Sequence, residues 1–577
     1  MAAPSVFTAA LRCFAPAGMP APLAGALGRI LHLEHLDTLY ASVPPLASPA
    51  AFAHQLLRQI ELELRVAPGD LNRIPRRGPT VIVANHPFGL IEGLATVTLL
   101  ERIRPDVKIL ANHLLGAVPE LRERLILIDP FDAAAARHTN SRGLREALAW
   151  LSAGGLLVVF PAGEVAHLNL RRIGIQDPPW HPTAVRLLQR SGATAVPLYF
   201  SGKNSALFQV AGLVHPRLRT ALLPHELWNK RGVQIEVRIG HPIPAARLSP
   251  DATRATDALR RRVEWLGRRI APTLRFRHLE PIAVPTPTEW VAAEIDALPP
   301  TARLAAQGGY EVWQVEAAQA PLAIREIGRL RETVFRAAGE GTGRALDLDS
   351  FDQHYIHLVL WRRDERRIAG AYRLAPTDLP DRQLYTRTLF RFSPRFWDHL
   401  GPALELGRSF IRLEDQRSFQ ALYLLWRAIG EYIVRHPQYL TLLGPVSISN
   451  HYQPASRALL ARWLSRQASD PSLAALVRPR RPYLAPKQSL RLPAIQDFDE
   501  LDSWLRDLEP DGKGVPVLLR HYLRMGGRIA SLHVDRAFSE TLDALIVVDL
   551  RQADRRALAK YFGPERADRI LTPAHQR

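Results

Sequence analysis

The stretch VIVANHPFGLIEG, Val81 to Gly93, decides how the first half of the chain is read. Its opening run of β-branched apolar residues predicts a buried strand. Asn85 and His86 stand at the end of that strand, and Pro87 and Gly89 then impose a turn. LIEGLATVTLLERI, Leu90 to Ile103, follows with helical apolar spacing and carries Glu92 in its first turn. A polar turn between a buried strand and a helix is where folds commonly mount chemistry. A structural histidine with its hydrogen bonds satisfied is the alternative reading of His86.

Working outward, the same alternation continues. VKILAN, RLILIDP, GLLVVFPAG and TAVPLYFSG read as strands, with helices at SRGLREALAWLSAG and HPTAVRLLQRSG between them. This order predicts an α/β layered domain with a largely parallel sheet. Four turns at strand ends, NHPFGLIEG, ILIDPF, FPAGEVA and VPLYFSGKN, would share one rim, the usual place for a site in an open α/β sheet. The domain closes near QIEVRIGHPIP and the basic helix TDALRRRVEWLGRRIAP.

Prolines 281, 285, 287, 299 and 300 then cluster, which predicts a stiff linker. Beyond it come strands YEVWQVEA, IHLVLWRR, RIAGAYRLA, PALELGRSFI and YLTLLGPVSI, with helices PLAIREIGRLRETVFRAAG and FQALYLLWRAIGEYIVRH among them, an α+β pattern. The expected organisation is therefore a first domain over 1–280, a linker over 281–300 and a second domain over 301–577.

Composition narrows the function. The 577 residues carry 75 Lys and Arg against 56 Asp and Glu, a net charge of +19, and only six of the basic residues are lysine. That balance favours an anionic membrane surface or an acidic protein as partner. The arginines are dispersed, with no zinc-finger spacing and no basic zipper or tail, so no nucleic acid is expected. One cysteine, Cys13, excludes an internal disulfide and any cysteine-rich zinc site. No uninterrupted apolar run is long enough to span a bilayer and no signal peptide is evident, so the expected location is cytoplasmic and peripheral to the inner membrane. A phosphate-binding glycine fingerprint, an H-E-x-x-H helix and a G-x-S-x-G elbow are all missing, which argues against nucleotide, zinc-protease and serine-hydrolase chemistry.

Residues 75 to 245 resemble the glycerolipid acyltransferases. The shared blocks are Asn85, His86 and Glu92; then Phe160, Pro161, Gly163 and Glu164; then Val196 and Pro197. The resemblance implies that His86 is the catalytic base for acyl transfer to a hydroxyl, with Glu92 as its orienting acid. It also implies that Asn85, Phe160, Pro161, Gly163 and Glu164 serve substrate binding. A neutral imidazole suits a base working near pH 7, and a carboxylate behind it fixes the tautomer and stabilises the imidazolium. The acid lies six residues after the histidine, where the family has an aspartate at five. ILIDPF lacks the family's phosphate-reading arginine, which points away from a glycerol-phosphate acceptor.

The second half resembles GNAT-type N-acyltransferases in their acyl-ornithine synthase branch, through Gly370, Tyr372, Arg373 and Leu374 on one strand and Glu405, Leu406, Gly407, Arg408 and Ser409 on the next. The E-x-x-R pair is also similar to that of acyl-homoserine-lactone synthases. The resemblance implies Glu405 as a catalytic group toward the amine, and Arg373 and Arg408 as substrate-binding groups. Strand alternation puts Glu405 and Arg408 on opposite faces unless a bulge intervenes at Gly407. Tyr372 reads as core. RLEDQRSFQAL has no glycine where coenzyme A users place a pyrophosphate loop, which implies an acyl carrier protein phosphopantetheine thioester as co-substrate. No further cofactor and no metal are expected.

Together the resemblances imply a bifunctional enzyme of ornithine-lipid type. One domain would N-acylate ornithine with a 3-hydroxyacyl chain, and the other would O-acylate the lyso-aminolipid's 3-hydroxyl. A lysophospholipid acyltransferase fused to an N-acyltransferase for lysine, glutamine or glycine is an alternative. A membrane-surface binding module with decayed sites is another.

Overall fold

The computed structural model describes residues 33–44, 48–67, 69–111, 118–128, 137–169, 174–214, 216–269, 279–378, 383–485, 495 and 497–571. The chain divides into two compact units. The first comprises residues 1–269 together with 503–513, and the second comprises residues 270–502 and 514–577.

The first unit is built on an eight-stranded sheet. Its order is Glu63–Val66, Gln234–Ile239, Thr194–Phe200, Thr80–Ala84, Leu156–Val159, Val107–Ala111 and Leu125–Leu127, with Ile243–Pro244 added beside Thr194–Phe200. Thr80–Ala84 runs parallel to both of its neighbours. Every residue of that strand is buried. Alternate side chains feed two separate cores: Ile82 and Ala84 join one, Val81 and Val83 the other. Both sheet faces are thus covered, as an α/β sheet requires. Because the neighbouring strands are parallel, the ends of Thr80–Ala84 and Leu156–Val159 fall on one rim. The corresponding turn of ILIDPF lies outside the described residues from Asp129 onward.

The short segment 503–513 lies in sequence within the predicted second domain, yet it belongs to the first unit. Its Asp507 accepts from Arg262 Nη1 at 2.8 Å and from the His241 backbone N–H at 2.5 Å, while the Asp507 carbonyl accepts from Arg269 Nε at 2.7 Å. Asp507 is buried, and these partners hold its carboxyl below the usual aspartate range against the opposing effect of burial. A domain boundary drawn from prolines misses this return of the chain.

The predicted linker also differs in the structure. Residues Thr288–Asp296 form a helix whose Val291, Ala292 and Ile295 are buried in the second unit's core. Pro287 stands at its N-cap, and Pro299 and Pro300 lie just beyond its end. The prolines therefore bracket about two and a half turns of packed amphipathic helix instead of stiffening a free connector.

The second unit carries its own eight-stranded sheet, in the order Arg303–Gln307, Tyr310–Val315, Ile356–Arg362, Arg367–Pro376, Ala403–Ile411, Thr441–Ile448, Thr541–Asp549 and Arg528–Asp535. All neighbours are antiparallel except Ala403–Ile411 and Thr441–Ile448. That parallel pair is in register only from Ala403 to Glu405 against Thr441 to Leu443. Beyond it the two strands continue without pairing, so a wedge opens between them.

Candidate active sites

In the first unit, Gly89 adopts φ 108°, a conformation that side chains disfavour, and starts the helix Leu90–Leu100. This turn brings His86 Nδ1 to 3.3 Å from Glu92 Oε1. The same oxygen accepts the Phe88 backbone N–H at 2.5 Å, and Glu92 is fully buried. A proton on Nδ1 aimed at Glu92 leaves Nε2 as the basic nitrogen. Burial alone would depress the imidazolium, but the charge and hydrogen bonding of Glu92, helped by Asp177, outweigh it and raise the His86 pKa above its ordinary value.

The other predicted residues divide by role. Asn85 spends its side chain on Phe200, donating from Nδ2 to the carbonyl at 2.9 Å and accepting the backbone N–H at 2.7 Å. It pins the His86 turn to the adjacent strand, so both ends of its amide serve the backbone of that strand. Phe160 stacks on the His86 ring, with centroids 4.7 Å apart and planes at 27°. The Pro161 carbonyl accepts the His181 N–H, and Gly163, at φ 69°, closes a turn onto the Phe160 carbonyl. Two residues after Glu164, Ala166 N–H donates to the His86 carbonyl at 2.7 Å, so the FPAGEVA segment buttresses the histidine from a second direction. Glu164 itself pairs with buried Arg219 at 2.6 Å.

Asp177 and Trp180 escaped the sequence reading. Asp177 Oδ1 accepts the His86 backbone N–H at 3.2 Å, and its Oδ2 accepts from Trp180 Nε1 at 3.0 Å. Burial raises the Asp177 pKa despite these bonds. The QDPPW segment carries no motif, and its link to a residue 91 positions away is visible only in three dimensions.

In the second unit, residues 407 to 410 stand opposite residues 373 to 371, so three steps on one strand face two on the other. This is a β-bulge, and the residue in the left-handed region is Arg408 itself, at φ 49°, not Gly407. The bulge turns Arg408 into a cavity of about 240 Å³ in the wedge, with Gly407 and Ser409 on one wall and Pro445, Val446 and Ser447 on the other. The Arg408 guanidinium packs over the rings of Tyr385 and Phe538, at 4.9 and 4.5 Å, and its Nε lies 3.5 Å from Asp347 Oδ2.

Glu405 and Arg373 do not join it there, contrary to the sequence expectation. The Glu405 carboxylate is buried and accepts from Tyr355 Oη at 2.8 Å and Thr386 Oγ1 at 2.6 Å. Burial raises its pKa, and those donors only partly offset it. Tyr355 Oη in turn accepts the Tyr385 N–H at 2.8 Å, so Glu405 orders the segment that presents Tyr385 to Arg408. Arg373 is 1 % exposed and committed to Asp349 and Asp352, at 2.7 and 3.0 Å. Tyr372 is core, its hydroxyl 2.7 Å from that of Tyr522. The second-half residues that the motif reading missed are Glu340 and Asp543, which also line the cavity.

Among the described residues no cluster of His, Cys, Asp and Glu is arranged to hold a metal ion, and no helix is long and apolar enough to cross a membrane.

Comparison with known proteins agrees with this division. Residues 18–274 match a family described as Acyltransferase, and residues 330–427 match one described as Acetyltransferase (GNAT) domain. A Glycine N(alpha)-acyltransferase of Bacteroides thetaiotaomicron is 29 % identical over 48 % of this chain and 89 % of its own length. A Lyso-glycine lipid O-acyltransferase of Phocaeicola vulgatus is 28 % identical over 32 % of this chain and 66 % of its own length. An L-ornithine N(alpha)-acyltransferase of Agrobacterium fabrum is 27 % identical over 44 % of this chain and 84 % of its own length. The chain is an acyl-transferring enzyme with an acyltransferase-like first domain and a GNAT-like second domain.

Proposed function

We propose that this chain makes an aminolipid in two acyl transfers. The second unit moves a 3-hydroxyacyl chain from the phosphopantetheine thioester of acyl carrier protein to the α-amine of an amino acid. The first unit then esterifies the new 3-hydroxyl with a second acyl chain. The observation that carries this reading is the presence on one polypeptide of two separate sites of different chemistry: a His86–Glu92 pair suited to a hydroxyl acceptor and an arginine-lined cavity suited to a carboxylate-bearing one. Relatives named for N-acylation of an amino acid and for O-acylation of its lyso-lipid support the same pairing.

At the first site, His86 Nε2 takes the hydroxyl proton as the oxygen attacks the thioester carbon, and Glu92 stabilises the imidazolium through Nδ1. The pairing of Glu164 with Arg219 fits an acceptor without a phosphate group, because that guanidinium is already engaged. The thioester is a co-substrate, and no resident cofactor is invoked.

Ornithine is the head group we favour. Glycine is the second reading, since the relative named for glycine N-acylation shares slightly more identity than the one named for ornithine N-acylation.

The enzyme would act peripherally at the cytoplasmic face of an anionic membrane. The helix Ala206–Val214 exposes Leu207, Val210 and Leu213. Its other face reaches the first site: Gln209 Oε1 accepts the Leu168 N–H at 2.8 Å, and Asn204, just before the helix, donates to the Phe88 carbonyl at 3.2 Å. An exposed apolar helix adjoining the catalytic turn, in a chain of net charge +19, suits binding at a lipid interface.

The test is expression of this one gene in a bacterial host that makes no aminolipid, followed by lipid mass spectrometry. A new doubly acylated amino acid supports the reading, and its head-group mass separates ornithine from glycine. A host whose lipids are unchanged although the protein accumulates would refute it.

A further inference from the structure

The second-unit cavity presents two carboxyl groups that the N-acyltransferase reading has not yet used. Glu340 sits three residues beyond the end of the helix Pro321–Ala337, between Gly339 at φ 76° and Gly341 at φ 94°. A Cβ on Gly339 would come within 2.3 Å of the His451 ring, so a glycine is required beside it. Asp543 lies on the strand Thr541–Asp549, directly opposite Ser447, and accepts from Thr541 Oγ1 at 3.2 Å. Both line the same cavity as Arg408, whose Nε is buried without a hydrogen-bond partner.

The charge balance of this site is lopsided. Arg331, Arg373 and Arg408 already face Asp347, Asp349 and Asp352 within ion-pair distance. Glu340 and Asp543 on the cavity wall, and buried Asp535 behind Asp543, which accepts only from neutral donors, therefore add acid beyond what those guanidinium groups neutralise. Burial is the first cause that pushes Glu340 up to about 8 and Asp543 up to about 7, and repulsion from a neighbouring carboxylate adds to each. A site with one guanidinium and two surplus carboxyls on its walls is complementary to a ligand carrying one carboxylate and two ammonium groups. A glycine zwitterion would leave one acid unmatched.

Resting on the N-acyltransferase reading of this unit, we propose that the cavity takes a diamino acid, with Arg408 on its α-carboxylate, Asp543 on its side-chain ammonium and Glu340 as the acceptor of the α-ammonium proton. The assignment replaces Glu405, whose carboxylate is consumed by Tyr355 and Thr386. Glu340 removes one proton from the α-ammonium, and the freed lone pair forms the C–N bond to the thioester carbon. The C–S bond then breaks, and the departing sulfur takes a second proton from the nitrogen. The products are the amide, the carrier thiol and a protonated Glu340. Bound ammonium groups supply the positive charge the two carboxyls otherwise lack, so the substrate itself puts Glu340 into its basic form.

The test uses the full-length protein with 3-hydroxyacyl carrier protein, comparing ornithine, lysine and glycine as acceptors, with O-acylation of supplied mono-acyl ornithine as the control for the first unit and thermal denaturation of each variant as the control for folding of the second. The wild type is expected to favour a diamino acid over glycine at least tenfold in kcat/KM. Asp543→Asn should reduce that preference at least tenfold by raising KM for the diamino acid, and Glu340→Gln should lower kcat at least tenfold with a smaller change in KM. O-acylation should be retained in both. Preference of the wild type for glycine, or turnover within twofold of wild type in either variant, overturns the proposal and leaves amino-acid N-acylation standing. Failure of the wild type to acylate any amino acid while O-acylation persists sinks the N-acyltransferase reading itself.

Discussion

His86 Nδ1 lies 3.3 Å from a Glu92 oxygen that also accepts the Phe88 N–H, so the carboxylate is fixed by the same turn that carries the imidazole. The acid does not rely on a distant element for its place. A six-residue spacing works because the chain reverses at Gly89 before the helix begins.

His86→Ala should therefore abolish ester formation, with a loss on the order of 10²- to 10⁴-fold, while N-acylation continues. Singly acylated amino acid should accumulate, which lipid mass spectrometry would register. Normal levels of the diacylated product would remove His86 from the reaction.

The pH profile of ester formation has a defined sign. The carboxylates of Glu92 and Asp177 raise the His86 pKa, so the working neutral form is reached only above the ordinary imidazole range. The acid limb of the rate should have its midpoint above about 6.5. In Glu92→Gln the limb should move to lower pH, because the imidazolium loses its partner, and the plateau rate should fall.

Arg408→Lys should impair N-acylation by roughly ten- to a hundredfold, in line with the loss of a charge-assisted contact of about 1.5–3 kcal/mol. Glu405→Gln should act differently. It turns one of the two acceptor oxygens into an amide N–H donor, so either Tyr355 or Thr386 loses its acceptor, and thermal denaturation should show a loss of about 1–3 kcal/mol along with reduced turnover. A Glu405→Gln protein with native stability would contradict the positioning role.

Leu207→Glu combined with Val210→Glu should weaken co-sedimentation with vesicles containing phosphatidylglycerol at least tenfold, since each apolar side chain contributes about 1.5–3 kcal/mol when buried. Transfer to a short-chain, water-soluble acceptor should be preserved. Equal vesicle binding by variant and wild type would place the membrane contact elsewhere.

Asp507→Ala should destabilise the first unit by about 3–5 kcal/mol, because it leaves Arg262 buried without its carboxylate. The Asp507 pKa is depressed in the folded state, so its contribution is present above the ordinary aspartate range and fades as pH falls through the folded value. The gap in urea midpoint between wild type and variant should accordingly narrow in strong acid.

The parts of this structure legible in sequence are those governed by local periodicity. The apolar run Val81–Ala84 and the helix after it could be read because strand and helix periods differ, and the histidine at their junction stood out for the same reason. Asp177 could not be read, since nothing in QDPPW announces that it will meet the His86 N–H. The E-x-x-R motif was visible, but the bulge at Arg408 was needed to learn that the arginine enters the cavity and Glu405 does not. Glu340 had a trace in the sequence, a carboxylate set between two glycines, whereas Asp543 lies in a strand whose other residues from Thr541 to Val548 are buried as well.

The return of residues 503–513 to the first unit sets a schedule for biosynthesis. A nascent chain folds from its N-terminus as successive domains emerge at about 5–20 residues per second. Here Arg262 and Arg269 must wait for Asp507, so the first unit cannot close its buried ion-pair network until nearly all 577 residues have left the ribosome. A gene truncated near residue 285 would release a chain permanently short of that partner, and His86 would sit in a unit that lacks one of its buried ion pairs.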